Sequence, residues 1–337
     1  MTVHSFRPLI AIGICTRQRN TLLRFLLESI WAQPKPPDYD IEIIIVDNND
    51  TPTVAPEIAD LSPKFKLTVT HESKAGLVNA RNRVLEIAES IDADWLIGID
   101  DDEYVEPDWL AQFIRGFKTL DADIIVAARR IIYGPETSPY VNRLKHEQLP
   151  AGEESKILST ANFAVSKRIF HSKRGLGLRF HPSLNESGGE DYEFLSRARI
   201  AHGIIPVKWP FAISTENFDG KRAEFRYQFR RRLLDQLTRY RVATLHRRTG
   251  VQGTRTGNAA KLFQKTIRYI VYGSAECISG GVQFLLGRKY ARQVIGGGLL
   301  KWARALAVIP YFMGRSAVHY GASVNADRAA NEKLGRD

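Results

Sequence analysis

A chain of 337 residues with 44% apolar composition can bury a full core, either as two domains or as one large domain with an appendage, which confines disorder to its ends. Its formal charge of +11 implies an anionic partner such as a nucleotide, a nucleic acid or a membrane surface. Two widely separated cysteines, Cys15 and Cys277, exclude a disulfide framework and a thiolate metal site and fit a reducing cytoplasm.

The apolar run Pro8 to Cys15 is too short for a secretory signal and leads at once into Thr16-Arg17-Gln18-Arg19, so it predicts a first strand. Strands are expected over about Pro8 to Ile14, Ile41 to Asp47, Phe65 to His71, Asp94 to Asp100 and Asp123 to Arg130. Helices are expected between them, over about Thr21 to Gln33, Gly76 to Ser90 and Pro107 to Leu120. That alternation implies an α/β fold, Rossmann-like, with a mostly parallel sheet and helices on both faces, whose ligand lies beyond the carboxyl ends of the strands. Polar clusters fall at those ends: Thr16 and Arg17, then Asp47 to Asp50, then Asp100 to Glu103. No G-x-G-x-x-G follows the first strand, so hydride transfer on a dinucleotide loses its support.

The stretch Trp95 to Glu103 runs a buried-strand pattern into three consecutive aspartates. Such an ending needs a cation, and oxygen-only ligands suit Mg²⁺ or Mn²⁺ completed by water and substrate phosphates. The plainer alternative is an acidic turn capping the helix that Pro107 opens. Residues Ile132 to Ile157 carry no regular pattern and read as a variable, acceptor-facing region, after which Ser159 to Val165 returns to the sheet. At Ser187 to Phe194, two glycines permit close backbone approach and the pair Glu190-Asp191 begins a helix.

These residues resemble family 2 glycosyltransferases of the GT-A fold, of the bacterial exopolysaccharide or surface-glycan type. The likeness runs through Ile12 to Arg17, Ile45 to Asn48, Gly76 to Asn82, Asp100 to Asp102 and Gly188 to Asp191, within roughly residues 5 to 220. The resemblance implies an inverting enzyme that moves a hexose from a UDP-sugar, UDP-glucose being the first guess, to a lipid-linked (polyprenyl diphosphate) saccharide. It places Thr16 and Arg17 at the nucleotide, Asp47 on the uracil N–H and Arg81 on the donor. Asp100 would contact ribose and metal, Asp102 would hold the ion, Asp101 would assist, and Glu103 would face outward or support the others. Asp191 is the expected base with Glu190 its alternate, and Asn162 is a weaker candidate near the sugar. Members of the fold often add a histidine ligand, but Phe211 to Asn217 contains none, which leaves Glu216 or water. Lys221 and Arg222 would close over the diphosphate from a mobile segment beginning at Asp219.

Beyond residue 220 the composition shifts. Lys221 to Arg268 holds fourteen Lys or Arg against two acids, so the excess charge is local. Apolar helical segments follow at Ile267 to Leu286 and Val294 to Met313, interrupted by charges and glycines, which favours lying on a membrane over spanning it. The expected organisation is a catalytic domain over 1–220, a basic amphipathic helical membrane-associating region over 221–325 and a polar tail over 326–337. The expected location is cytoplasmic, on the inner face of the plasma membrane, with no nucleic acid as partner. The competing readings are a nucleic-acid-binding protein on a mononucleotide-binding scaffold and a nucleotidyltransferase.

Overall fold

The computed structural model describes residues 7–141, 150–156, 158–218, 220–251 and 259–314. The polar tail, Asp219 and part of the irregular middle segment lie outside them. The chain divides into two compact units. The first comprises 1–132, 146–182 and 190–217; the second comprises 133–145, 183–189 and 218–337. A single cut near residue 220 therefore misses two earlier segments that join the C-terminal unit.

The first half alternates as its apolar pattern requires: β1 (Leu9–Thr16), α1 (Asn20–Trp31), β2 (Asp40–Asp47), α2 (Val54–Glu57), β3 (Lys66–His71), α3 (Leu77–Ser90) and β4 (Trp95–Asp100). Then come β5 (Glu103–Val105), α4 (Trp109–Thr119), β6 (Ile124–Tyr133), β7 (Asn162–Ser166), α5 (Lys167–Phe170), α6 (Glu190–His202) and β8 (Val207–Phe218). The sheet order is β3-β2-β1-β4-β7-β6-β8-β5, with β3, β2, β1 and β4 parallel and β7 antiparallel to β4. At three residues β5 is too short for a periodicity, and only its antiparallel partner β8 defines it.

Alternation along the central strands sends Ile10, Ile12 and Ile14 into a core with Leu23, Leu27, Trp109 and Phe113 from α1 and α4. Ala11, Ile44 and Val46 turn to the opposite core with Val84 and Leu85 of α3 and Phe194 of α6. Gly13 and Gly98 pair side by side, and a Cβ on either would lie 2.3 Å from Val84 or 2.2 Å from Phe163. Their bareness lets α3 and Phe163 press onto the sheet. The same register aligns Thr16 with Asp47, and Cys15 with Asp100, so the ends of β1, β2 and β4 share one edge.

The second unit is helical: α7 (Phe225–Arg248), α8 (Ala259–Leu285), α9 (Ala291–Leu306) and α10 (Val308–Phe312). The expected single segment Val294 to Met313 is split at Ala307, because Pro310 has no N–H to give the Leu306 carbonyl and is accommodated in the first turn of a new helix, α10.

Candidate active site

β4 ends at Asp100, and the turn that follows carries Asp101 and Asp102. Asp100 has a side chain 37% exposed. Asp101 turns inward, accepting a hydrogen bond from Thr16 Oγ1 at 2.7 Å and another from Arg19 at 2.9 Å. Asp102 shares the same guanidinium nitrogen at 3.0 Å. Burial pushes the Asp101 carboxyl up to about 6 although Arg19 opposes it. Burial also raises Asp100, with Arg81 pulling down and Asp102 pushing up. Two carboxylates that raise each other's field are relieved by a cation between them.

On the other side, α3 and α6 meet through Arg81. Its guanidinium reaches Glu190 Oε1 at 2.7 Å and Asp100 Oδ1 at 3.4 Å, over the Phe180 ring. Glu190 is buried, and that burial lifts its carboxyl to about 7 against the pull of Arg81. The expected alternate base, Glu190, is thus held against Arg81 inside the fold, while a base must reach an acceptor hydroxyl. Asp191 is half-buried, accepts the Tyr192 N–H at 2.7 Å, and its charge is felt by both Arg81 and Asp100. Cys15, half-buried beside the same groups, is held protonated, its pKa pushed up to about 12 by desolvation.

The residues expected at the nucleotide, at the ends of β1 and β2, make the following contacts. Thr16 is buried with its hydroxyl spent on Asp101, so it forms no pocket rim. Asp47 accepts four hydrogen bonds, from the Asn49 backbone and side chain at 3.0 and 2.7 Å and from the Thr53 and Val54 N–H groups at 2.7 and 2.9 Å. Those four fill both lone pairs of both oxygens, and they hold the carboxyl below its usual range despite burial. Asp47 therefore organises the loop after β2. Arg17 pairs with Asp50 at 2.9 Å, its Nε buried without a partner. Beside these residues a cavity of about 440 Å³ is lined by Gln18, Asn20, Asn49, Asp50, Thr51 and Thr53. Gln18 there holds a positive φ of 56°, its N–H fixed on Asn49 Oδ1 at 2.7 Å.

Asn162 is buried, bridging the Ala128 and Ala212 carbonyls and accepting from Trp109 Nε1, so it ties the sheet and meets no sugar. Glu103 does not face outward. It is buried opposite Glu216 in the β5–β8 pairing, with Arg129 at 3.7 Å from Glu103 and 2.9 Å from Glu216. Burial raises the Glu103 carboxyl well up, and the engagement of Glu216 removes it as a substitute metal ligand. Arg19 and Arg129 went unassigned in the sequence; the signal for Arg129 was a pair of arginines inside an otherwise apolar strand. Lys221 and Arg222 lie in a short turn, Gly220–Ala223, of the second unit.

Among the described residues no group of three or more His, Cys, Asp or Glu side chains is set to cage an ion. Asp100 and Asp102 fit instead a hard divalent cation that keeps waters and takes substrate phosphates as its remaining ligands.

The profile of Glycosyl transferase family 2 matches residues 11–173. The succinoglycan biosynthesis protein ExoM of Rhizobium meliloti (strain 1021) is 32% identical over 217 residues, 62% of this chain and 68% of that protein. The putative glycosyltransferase EpsH of Bacillus subtilis (strain 168) is 32% identical over 111 residues, 32% of this chain and 30% of that protein. Among solved structures, the mannosyltransferase PcManGT from Pyrobaculum calidifontis, in complex with GDP-Man and Mn²⁺, aligns with a TM-score of 0.57 at 14% identity, over 93% of this chain and 89% of that one. S. aureus TarS 1–349 in complex with UDP-GlcNAc aligns at 0.50 and 13% identity, over 91% and 92%. At such identities the structures establish the shared fold.

Proposed function

This chain belongs to glycosyl transferase family 2, and from that membership we propose that it moves a hexose from a nucleoside diphosphate sugar, UDP-glucose being the first donor to test, to a lipid-linked saccharide in exopolysaccharide or surface-glycan synthesis. The observation that carries this reading is one cluster at the ends of β4, α3 and α6, in which Asp100, Asp102, Arg81 and Asp191 act on one another's charge. The succinoglycan role of ExoM supports the product class, and the nucleotide sugars bound by PcManGT and TarS support the donor class.

When bound on Asp100 and Asp102, Mg²⁺ or Mn²⁺ supplies positive charge where the departing diphosphate gathers its negative charge. Arg19 keeps Asp101 and Asp102 in place from the β1 side, and Arg81 does the same for Asp100. The acceptor oxygen bonds to the anomeric carbon from the face opposite the leaving group as the bond to the diphosphate oxygen breaks. Asp191 takes the hydroxyl proton in that step, giving inversion with no covalent intermediate. The polar cavity flanking Arg19 is assigned to the nucleoside, since its volume suits a ligand of that size.

The second unit is assigned to an anionic membrane surface. On the 27-residue α8, Phe263, Ile267, Val271, Ile278, Val282 and Leu285 recur on one side at helical spacing and are all exposed. No helix among the described residues is long and apolar enough to cross a membrane. An apolar stripe on a strongly basic unit suits the headgroup boundary of acidic lipid. These assignments make residues 1–220 chiefly catalytic and 221–325 membrane-associating, on the inner face of the plasma membrane.

The test compares wild type, Asp102→Ala and Asp191→Asn. UDP with Mn²⁺ is expected to stabilise the wild type and Asp191→Asn against heat, but not Asp102→Ala. Transfer should fall by roughly 10²- to 10⁴-fold in Asp191→Asn, the range for loss of a general base. Undiminished turnover in that variant would move the base elsewhere, and failure to sediment with acidic liposomes at low salt would remove the membrane assignment.

A further inference from the structure

Where α8 turns into α9, every residue from Phe284 to Tyr290 is exposed. Leu285, the last residue of α8, is 86% exposed and Leu286 beside it 68%. Phe284 and Tyr290 flank them, both at least half exposed. A single apolar side chain in water needs no explanation, but a contiguous group at one end of a helical hairpin marks a surface that something else covers.

The hairpin cannot fold over these leucines itself. Its helices already meet through glycines: a Cβ on Gly280 would lie 2.7 Å from Ile295 Cγ1, and one on Gly298 would lie 2.5 Å from the Gly273 carbonyl oxygen. The turn is also complete. Gly287 takes a left-handed φ of 67°, its N–H bonds the Phe284 carbonyl at 3.0 Å, and the Arg288 N–H bonds the Gln283 carbonyl at 2.9 Å. In this kind of helix end, residues in the places of Gln283 and Arg288 often make an apolar contact. Here both are polar, and the neighbouring leucines point outward into solvent.

Charge identifies the occupant. Arg288, Lys289 and Arg292 follow the leucines and are exposed, and the chain carries no Asp or Glu between Glu276 and Asp327. The Lys289 ammonium stands 5.7 Å from the centre of the Tyr290 ring, and the Arg292 guanidinium 5.4 Å from that of Phe284. A second copy of so basic a unit would set like charge against like, whereas an anionic bilayer offers negative headgroups over hydrocarbon. Aliphatic groups at the point, with aromatic rings and long cations beside them, match the succession from acyl chain to headgroup.

We propose that the tip of the α8–α9 hairpin is an insertion wedge for an anionic bilayer, Leu285 and Leu286 entering the acyl chains while Arg288, Lys289 and Arg292 hold headgroup phosphates. This rests on the membrane assignment above and adds the element that enters deepest. A flat-lying helix sinks about 5–10 Å along its whole apolar face. A wedge is deepest at Leu285 and Leu286 and shallowest near Phe263, toward the start of α8. Neither helix is long and apolar enough to cross, so the wedge enters one leaflet.

The experiment uses the full chain and phosphatidylglycerol vesicles with brominated acyl chains, which quench tryptophan fluorescence at hydrocarbon depth. The fluorescence added by Leu286→Trp should be quenched at least twice as strongly as that added by Phe263→Trp, each read above the wild-type background. Leu285→Gln/Leu286→Gln should weaken partition into the vesicles tenfold or more, with the melting temperature and its shift by UDP and Mn²⁺ as in wild type. Arg288→Gln/Lys289→Gln should weaken binding several-fold and flatten its dependence on salt. Equal quenching at the two positions would overturn the wedge and leave the flat-lying helix, whereas no binding of the wild type to phosphatidylglycerol would overturn both. A dimer in lipid-free buffer that Leu285→Gln/Leu286→Gln takes apart would also overturn the wedge, by giving the leucines to a second copy.

Discussion

The two units treat their arginines in opposite ways. In the first, Arg19 lies against Asp101 and Asp102, Arg81 against Glu190 and Asp100, and Arg129 against Glu103 and Glu216. Arg81 and Arg129 each join carboxylates on different elements and Arg19 joins two consecutive ones to the end of β1, so charge there fixes geometry. In the second, Arg232, Arg239 and Arg304 share one cavity with Asp235 alone among its lining acids. Charge that is paired inside the fold can position a reaction, whereas like charge gathered on one unit gives that unit a positive field.

The contrast is broken most severely at Arg81. Arg81→Met leaves Glu190 and Asp100 in a buried site without their cation, and should cost on the order of 3 kcal/mol in urea denaturation, the range for removing one member of a buried pair. Because Glu190 can escape its charge by taking a proton, the loss should be larger at pH 8 than at pH 6. A variant as stable as wild type at pH 8 would show that the pairing does not hold α3 to α6.

A smaller loss, on the order of 2 kcal/mol, is expected from Arg129→Met, which leaves two glutamates facing each other across the β5–β8 pair. Adding Glu103→Gln should restore part of it. Additive effects in the double-mutant cycle would mean that Glu103 and Arg129 do not interact.

The raised carboxyls also set a pH slope. Glu190 rises from 4.5 to about 7 and Asp101 from 3.8 to about 6, so each binds its proton more tightly folded than unfolded. Their contribution to stability is complete below about pH 4 and is lost as pH rises through 6 and 7. In metal-free buffer, Glu190→Gln should flatten the decline between pH 4.5 and 7, as measured by denaturation at several pH values. An unchanged slope would place the titration on other groups.

The least effect on stability belongs to the second unit. Ile278→Gln with Val282→Gln on the exposed side of α8 should alter stability by no more than about 0.5 kcal/mol per site, as surface changes do. Sedimentation with acidic vesicles should nevertheless fall. If stability collapsed instead, the stripe would be core and the contrast between the units would lose one side.

Local pattern carried the scaffold. Apart from the short α2 and β5, the strands and helices up to β6 fall where the apolar periodicity puts them, because each is specified by residues within a few positions of one another. The Asp47 loop was equally local: Asp-Asn-Asn-Asp-Thr-Pro is rich in residues whose side chains bind their own backbone, a signal that favoured a turn over an open carboxylate. The partners of the acidic triplet carried no such signal. Thr16 meets Asp101 across 85 positions, and Arg81 meets Glu190 across 109.

The sequence alone therefore determined an α/β sheet with its polar residues at the strand ends, the position of the acidic triplet, and the concentration of positive charge after residue 220. The tertiary structure decided which carboxylates stay open and which are consumed. It turned Asp101, Glu103, Glu190 and Glu216 into counter-ions for arginines of other elements, and it gathered Arg232, Arg239 and Arg304 from two helices along one wall. The reason is that periodicity fixes the face on which a side chain emerges, whereas its partner is fixed by strand register and helix packing, which join residues far apart in the chain.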